Sequence, residues 1–101
     1  MKVIKQTILQ KKYDLHVAIS DKDKRIGMNR FKTKPKNQGI LFQYGVEEPG
    51  RTFTLKKTPF DLIVIFLNNA GDIVHVEKGR ARQRKLITCD KPSSRVIEIP
   101  A

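Results

Sequence analysis

Phe60-Asp61-Leu62-Ile63-Val64-Ile65-Phe66-Leu67 is the only stretch of this chain that is apolar almost without a break. It is β-branched and aromatic, which favours extended backbone, and it falls far short of the roughly 20 residues that a membrane helix requires. A strand this apolar must be buried on both faces, so the run predicts the central strand of a sheet with material packed on either side. With 101 residues in all, the chain is too short to divide its core, and a single domain over 1–101 is expected.

The remaining segments read mostly as strands. Lys2 to Gln10 alternates loosely. Tyr13, Leu15, Val17 and Ile19 share one face of a second strand, with Asp14, His16 and Ala18 on the other. Ile40-Leu41-Phe42 is a short apolar strand, Glu47-Glu48-Pro49-Gly50 is a turn, and Arg51 to Leu55 alternates again. Asn68-Asn69-Ala70-Gly71-Asp72 should fold the central strand back as a hairpin onto Ile73-Val74-His75-Val76, and Arg95 to Ile99 closes the sheet before Pro100.

One segment breaks the pattern. Ser20-Asp21-Lys22-Asp23 offers a hydroxyl at a helix N-cap with a carboxylate three residues on, and Gly27 supplies a C-terminal stop. A short helix near residues 21-29 follows, with Met28 and Phe31 as core plugs beneath it. The fold class is therefore mainly β, a compact jelly-roll-like β-sandwich or open barrel with one short α-helix.

The order of motifs resembles the uncharacterised bacterial and archaeal family known as domain of unknown function 192. The resemblance rests on Arg25-Ile26-Gly27-Met28-Asn29-Arg30, Gly39-Ile40-Leu41-Phe42, Phe53-Thr54-Leu55-Lys56-Lys57-Thr58-Pro59-Phe60-Asp61-Leu62, and Arg95-Val96-Ile97-Glu98-Ile99-Pro100. It implies a β-sandwich of jelly-roll type and no established activity, and it singles out Arg30, Lys56, Thr58 and Asp61 as motif positions. The family pattern has Trp and Met before its Lys, then Asn and Thr, where this chain has Thr54, Leu55, Lys56, Lys57 and Thr58. Relatives are often secreted or lipid-anchored with a cysteine pair. Here Cys89 stands alone, and Lys5 and Gln6 interrupt what would be a signal peptide's apolar centre. A cytoplasmic, phage-borne or bacterial offshoot without membrane attachment is the expectation.

Charge is the strongest functional signal. The 21 Lys and Arg stand against 10 Asp and Glu, a net +11, and both halves of the chain carry the excess. Lys78-Gly79-Arg80-Ala81-Arg82-Gln83-Arg84-Lys85, read as an extended ribbon, projects Lys78, Arg80, Arg82 and Arg84 to one side at about 6.5–7 Å intervals. That spacing suits phosphates along a nucleic-acid strand, and small Gly79 and Ala81 would admit the polyanion close to the backbone. Lys32, Lys34 and Lys36 add a second stretch, extended by Lys22, Lys24, Arg25 and Arg30, with Phe31 and Tyr44 as stacking surfaces.

A non-enzymatic domain contacting DNA or RNA, or another polyanion, through Lys78, Arg80, Arg82, Arg84, Lys85, Lys32, Lys34 and Lys36 is the leading expectation. The alternative is an accessory module that docks to a larger assembly or an acidic protein. A metal-dependent hydrolase or nuclease using Asp61 and Lys56 ranks third. Asp61 interrupts an apolar strand and needs a donor, for which Lys56 or Thr58 is nearest in sequence. Glu77 and Lys78 are adjacent and point to opposite faces, against the spacing such nucleases use. His16 and His75 lack neighbouring ligands at metal spacing, Cys89 lacks a histidine, and the scattered glycines form no phosphate loop, so no metal and no cofactor is expected.

Overall fold

The structure is a computed structural model and describes residues 1–101. Eight strands occur in chain order: β1 (Val3–Ile8), β2 (Lys11–Ala18), β3 (Gln38–Glu48), β4 (Arg51–Phe53), β5 (Leu62–Leu67), β6 (Ile73–Gly79), β7 (Ile87–Cys89) and β8 (Ser93–Pro100). One helix, α1 (Asp21–Ile26), runs directly into a 3-10 turn at Gly27–Arg30. Six strands make one sheet in the order β1-β2-β3-β8-β5-β6, and β4 pairs with β7 in a small second sheet. The outer edges of β1 and β6 remain unpaired, so the sheet is open and no barrel closes.

The apolar run does form a strand, β5, but not the central one: it lies one place from the edge, between β8 and β6. The middle of the sheet belongs to β3 and β8. Both are more polar in sequence, which hid their position. Strand β3 continues to Glu48, well past the apolar Ile40-Leu41-Phe42, and β7 was not anticipated because three residues carry too little pattern to read. Strands β2 and β3 run parallel, so the connection through α1 must cross over the sheet.

The two faces of the sheet carry separate apolar clusters. Ile40, Phe42, Leu62, Val64, Phe66 and Val96 face α1, the β4–β7 pair and Leu55, together with Met28, Ile87 and Cys89. Leu41, Ile65, Ile97 and Ile99 face the other way and meet Tyr13, Leu15 and Val17 of β2 and Ile8 of β1. This second cluster runs continuously from Ile8 of β1 to Ile65 of β5. Ile19, expected to continue the face of Tyr13, Leu15 and Val17, lies beyond the end of β2 and is exposed.

The helix follows its signals. Ser20 Oγ accepts the Asp23 N–H at 3.1 Å, and Gly27 ends the helix with φ +47°, a left-handed conformation that glycine adopts cheaply. That turn drops Met28 into the core, where it is 2% exposed. Phe31 packs half-buried beside it, its ring edge-on to His16.

Candidate ligand cleft and cationic end

The polypeptide leaves a cleft of about 630 Å³ between α1 and the sheet. Its wall on the helix side is Asp21, Lys24 and Arg25 followed by Gly27, Met28 and Asn29; opposite stand Thr52, Phe53, Thr54 and Thr58; Phe42, Tyr44 and Glu98 come from the sheet. All four sequence stretches that carry the family resemblance therefore contribute to one cavity. They are distant along the chain, and the fold gathers them.

Local contacts fix the walls. Thr58 Oγ1 donates to Asn29 Oδ1 at 3.0 Å, tying the 54–61 segment to the 3-10 turn. Arg30 turns back to donate Nε to the Gly27 carbonyl at 3.1 Å, so its role is to brace that turn. Lys24 Nζ lies 4.2 Å and Arg51 Cζ 3.7 Å from the centroid of the Tyr44 ring, which fixes Lys24 at the mouth of the cleft. Burial, reinforced by Glu98 and opposed by Arg51, raises the Tyr44 pKa above its ordinary value. The expectation that Tyr44 and Phe31 offer open stacking surfaces is therefore corrected: cations already cover Tyr44, and Phe31 is spent on His16.

Glu98 is the floor. In β8 it shares a sheet face with Val96 and pairs with Ile40 and Val64, so a carboxyl occupies a position that the alternation reserves for an apolar side chain. The residue is 5% exposed, and burial pushes its pKa up to about 8. No hydrogen bond or opposite charge from the protein offsets that burial, so the group is protonated at neutral pH. The sequence reading passed over Glu98 as part of a motif. The available signal was a lone acid between Ile97 and Ile99 in a strand apolar on both sides.

The cationic residues assemble differently. In the sheet register, the start of β3 at Gln38, the end of β8 at Pro100, the start of β5 at Leu62 and the end of β6 at Gly79 all lie at one end. The connections 31–37, 54–61 and 80–86 consequently emerge together. With Lys78 from the end of β6, they bring Lys32, Lys34, Lys36, Lys56, Lys57, Arg80, Arg82, Arg84 and Lys85 to the same end, ten of the chain's 21 basic residues, all exposed. Asp61 is the one acid in these connections. Its Oδ1 accepts the Ala81 N–H at 2.7 Å and its main-chain oxygen accepts the Ala101 N–H at 3.0 Å. The Arg82 N–H donates to the Thr58 carbonyl at 3.0 Å, which stitches the two loops together. Lys34 and Lys36 line a shallow hollow with Lys11 and Ala101 beside this junction.

Several expectations change. Residues 80–86 do not form an extended ribbon: the Gln83 N–H donates to the Arg80 carbonyl, Gln83 Oε1 accepts the Arg80 N–H, and Arg82 adopts φ +57°. The Arg side chains thus radiate from a turn and do not follow an evenly spaced row. Gly79 does not serve polyanion approach. It is buried, and a Cβ there would stand 2.5 Å from Leu55 Cδ2 and 2.8 Å from Ile87 Cδ1. The donor to Asp61 is the Ala81 amide, not Lys56 or Thr58.

The acid–lysine group Asp61, Glu77 and Lys78 is not brought together. Glu77 Oε1 accepts from His75 Nε2 at 2.9 Å on the first sheet face, Lys78 lies on the second, and Asp61 is committed beyond the ladder. His16 contacts Gln38 Oε1 at 3.0 Å, and Cys89 is fully buried with Sγ 3.4 Å from the Lys91 carbonyl. No helix is long and apolar enough to cross a membrane.

Among solved structures, a Sinorhizobium meliloti 1021 protein provisionally described as a transcription regulator superposes with a TM-score of 0.80 at 21% identity, over 90% of this chain and 70% of that one. A protein of unknown function from Novosphingobium aromaticivorans DSM 12444 gives 0.80 at 15% identity, over 98% and 72%. At these identities the likeness establishes the fold. Among curated proteins, none matches the chain. The model of the family DUF192, described as Uncharacterized ACR, matches residues 3–101, and with its four motif stretches converging on one cleft the chain belongs to that family.

Proposed function

We propose that this chain is a small, non-enzymatic binding domain that holds DNA or RNA, or another polyanion, by its backbone through the cationic end. The observation that carries the reading is the convergence of three connections that are separate in sequence onto one end with ten basic residues, against two acids there, Asp61 and the Asp14 that registers with Gln38. The Asp61 carboxylate accepts the Ala81 N–H and lies within ion-pair distance of no lysine or arginine. The only Lys or Arg within ion-pair distance of a carboxylate is Lys5, 3.9 Å from Asp14. The opposite end mixes signs: Glu47, Glu48, Asp72 and Asp90 lie there with Lys91 and Arg95. A molecule polarised this way is steered end-first towards a polyanion.

A second reading, docking to an acidic protein within a larger assembly, draws on the unpaired edges of β1 and β6, where Val3 and Val76 are exposed. Location in the cytoplasm and a phage or bacterial origin belong to the same proposal.

Fluorescence anisotropy of labelled single- and double-stranded oligonucleotides, titrated from low to physiological salt, tests the reading. Affinity should fall linearly on a log–log salt plot, with the slope reporting the number of phosphates neutralised. Changing Lys56, Lys57, Arg80, Arg82, Arg84 and Lys85 together to Ala should remove most of the binding. Flat anisotropy at low salt, or an unchanged slope in the variant, would refute it, and co-elution with an acidic protein after nuclease treatment would favour docking.

A further inference from the structure

The cleft beneath α1 has a chemistry that the cationic end does not share. Its floor is a carboxyl, Glu98, 5% exposed and without a partner from the protein; what exposure it has opens into the cavity. Its mouth holds Lys24 and Arg25, with Lys24 steadied over Tyr44. The rest of the lining mixes Met28, Phe42 and Phe53 with the polar side chains of Asn29, Thr52, Thr54 and Thr58. A mostly buried carboxyl that no protein group bonds faces only what enters the cavity, so a ligand able to bond it there gains more than it would in open water.

The complementary ligand can be specified from these three zones. The mouth and the overall +11 charge favour an anionic group on the outside. The middle takes a body with apolar faces for Met28, Phe42 and Phe53 and polar edges for the threonine hydroxyls and Asn29. The floor, protonated at neutral pH because burial raises its pKa to about 8, presents one O–H donor beside one carbonyl acceptor. Its complement is an adjacent acceptor and N–H donor on a planar edge, which every nucleobase carries. A volume of about 630 Å³ is ample for one nucleotide.

We propose that the cleft is a nucleotide-binding site, with the base edge paired to Glu98 and the phosphate held at the mouth by Lys24 and Arg25. The site is separate from the cationic end and does not rest on the polyanion reading. Pairing of this kind accepts any base, so selectivity among the four is weak. The other titratable and charged groups on the cleft are Asp21 from α1 and Tyr44 from β3, with Arg51 behind the tyrosine ring. Ionisation of Glu98 removes the donor, so affinity declines as pH rises through about 8.

Isothermal titration calorimetry of the full chain with adenosine and uridine monophosphates, against ribose 5-phosphate and glutamine, tests the proposal. Both nucleotides should bind at neutral pH, ribose 5-phosphate roughly tenfold more weakly or worse, and glutamine not measurably. Glu98→Met replaces a buried acid by an apolar side chain of similar length, so it keeps the fold while weakening the nucleotides roughly tenfold or more. Lys24→Ala with Arg25→Ala, on the outer wall, should weaken the nucleotides and leave the fold unchanged.

No nucleotide heat at millimolar concentration, equal binding of ribose 5-phosphate, or unchanged affinity in Glu98→Met would each overturn the site. Preference for glutamine would reassign it to zwitterions. The six-residue loop variant described above should still bind the mononucleotides. If it loses them, the nucleotides were held at the cationic end and the cleft proposal fails.

Discussion

The cationic end and the floor of the cleft both hold charge-bearing groups without partners, yet they carry different information. At the cationic end, ten Lys and Arg side chains reach water, where an unpaired charge costs little and folding is nearly indifferent to it. Glu98 lies inside, between Ile40 and Val64, where an unpaired carboxyl must give up its charge or be matched. Exposed charge therefore argues for a partner only through its arrangement, here the convergence of three loops. Buried charge argues through its cost.

The largest expected effect comes from removing that cost. The folded-state pKa of Glu98, about 8, stands above the ordinary 4.5. Between those values the folded protein keeps a proton that the unfolded chain has lost. Stability is therefore full below pH 4.5, declines as pH rises towards 8 by up to about 1.4 kcal/mol per unit, and levels off above it. Urea unfolding at pH 5 and pH 8 should show this decline, on the order of 4 kcal/mol in total, and Glu98→Met should abolish it. A flat profile in the unsubstituted chain would erase the contrast between the two regions.

Gly79 joins the regions, since it ends β6 in the core and opens the cationic loop. Gly79→Ala should cost roughly 1–3 kcal/mol through overlap with Leu55 and Ile87. Asp61→Ala, which releases the Ala81 amide, should cost about 1–2 kcal/mol and speed hydrogen exchange across residues 80–85. Smallest of all, neutralising Lys56, Lys57, Arg80, Arg82, Arg84 and Lys85 should change stability by no more than about 0.5 kcal/mol. The same variant should lower the salt slope for a polyanion by up to about five. A large stability change there would mean that the charges are structural, and the comparison would fail from the other side.

How far the sequence revealed these features depends on the range of the contacts. Helix α1 was legible because its signals, Ser20, Asp23 and Gly27, act within a few residues. Strands β2 and β5 were legible from alternation and from an apolar run. Strand order was not: apolarity placed β5 at the centre, whereas the centre is β3 and β8, each covered by elements far away in sequence. The lysine and arginine stretches were visible as charge, but their common end follows from antiparallel and parallel registers that no local pattern encodes. Extended geometry was wrongly expected for residues 80–85 because alternation of Arg with small residues resembles a strand, while Gln83 and Asp61 close the segment into a turn. The cleft was the least legible feature. Its walls were quoted motif by motif, but only the folded chain shows that Asn29, Thr58 and Glu98 line the same cavity.

The most direct test is the titration of Glu98 itself, followed by the ¹³C chemical shift of its side-chain carboxyl across the pH range in the intact chain. A midpoint near 8 is expected, with the carboxyl protonated at neutral pH and Glu98→Gln used to assign the signal. A midpoint near the ordinary 4.5 would mean that the carboxyl is already solvated or paired. The floor of the cleft would then hold nothing that a ligand needs to satisfy.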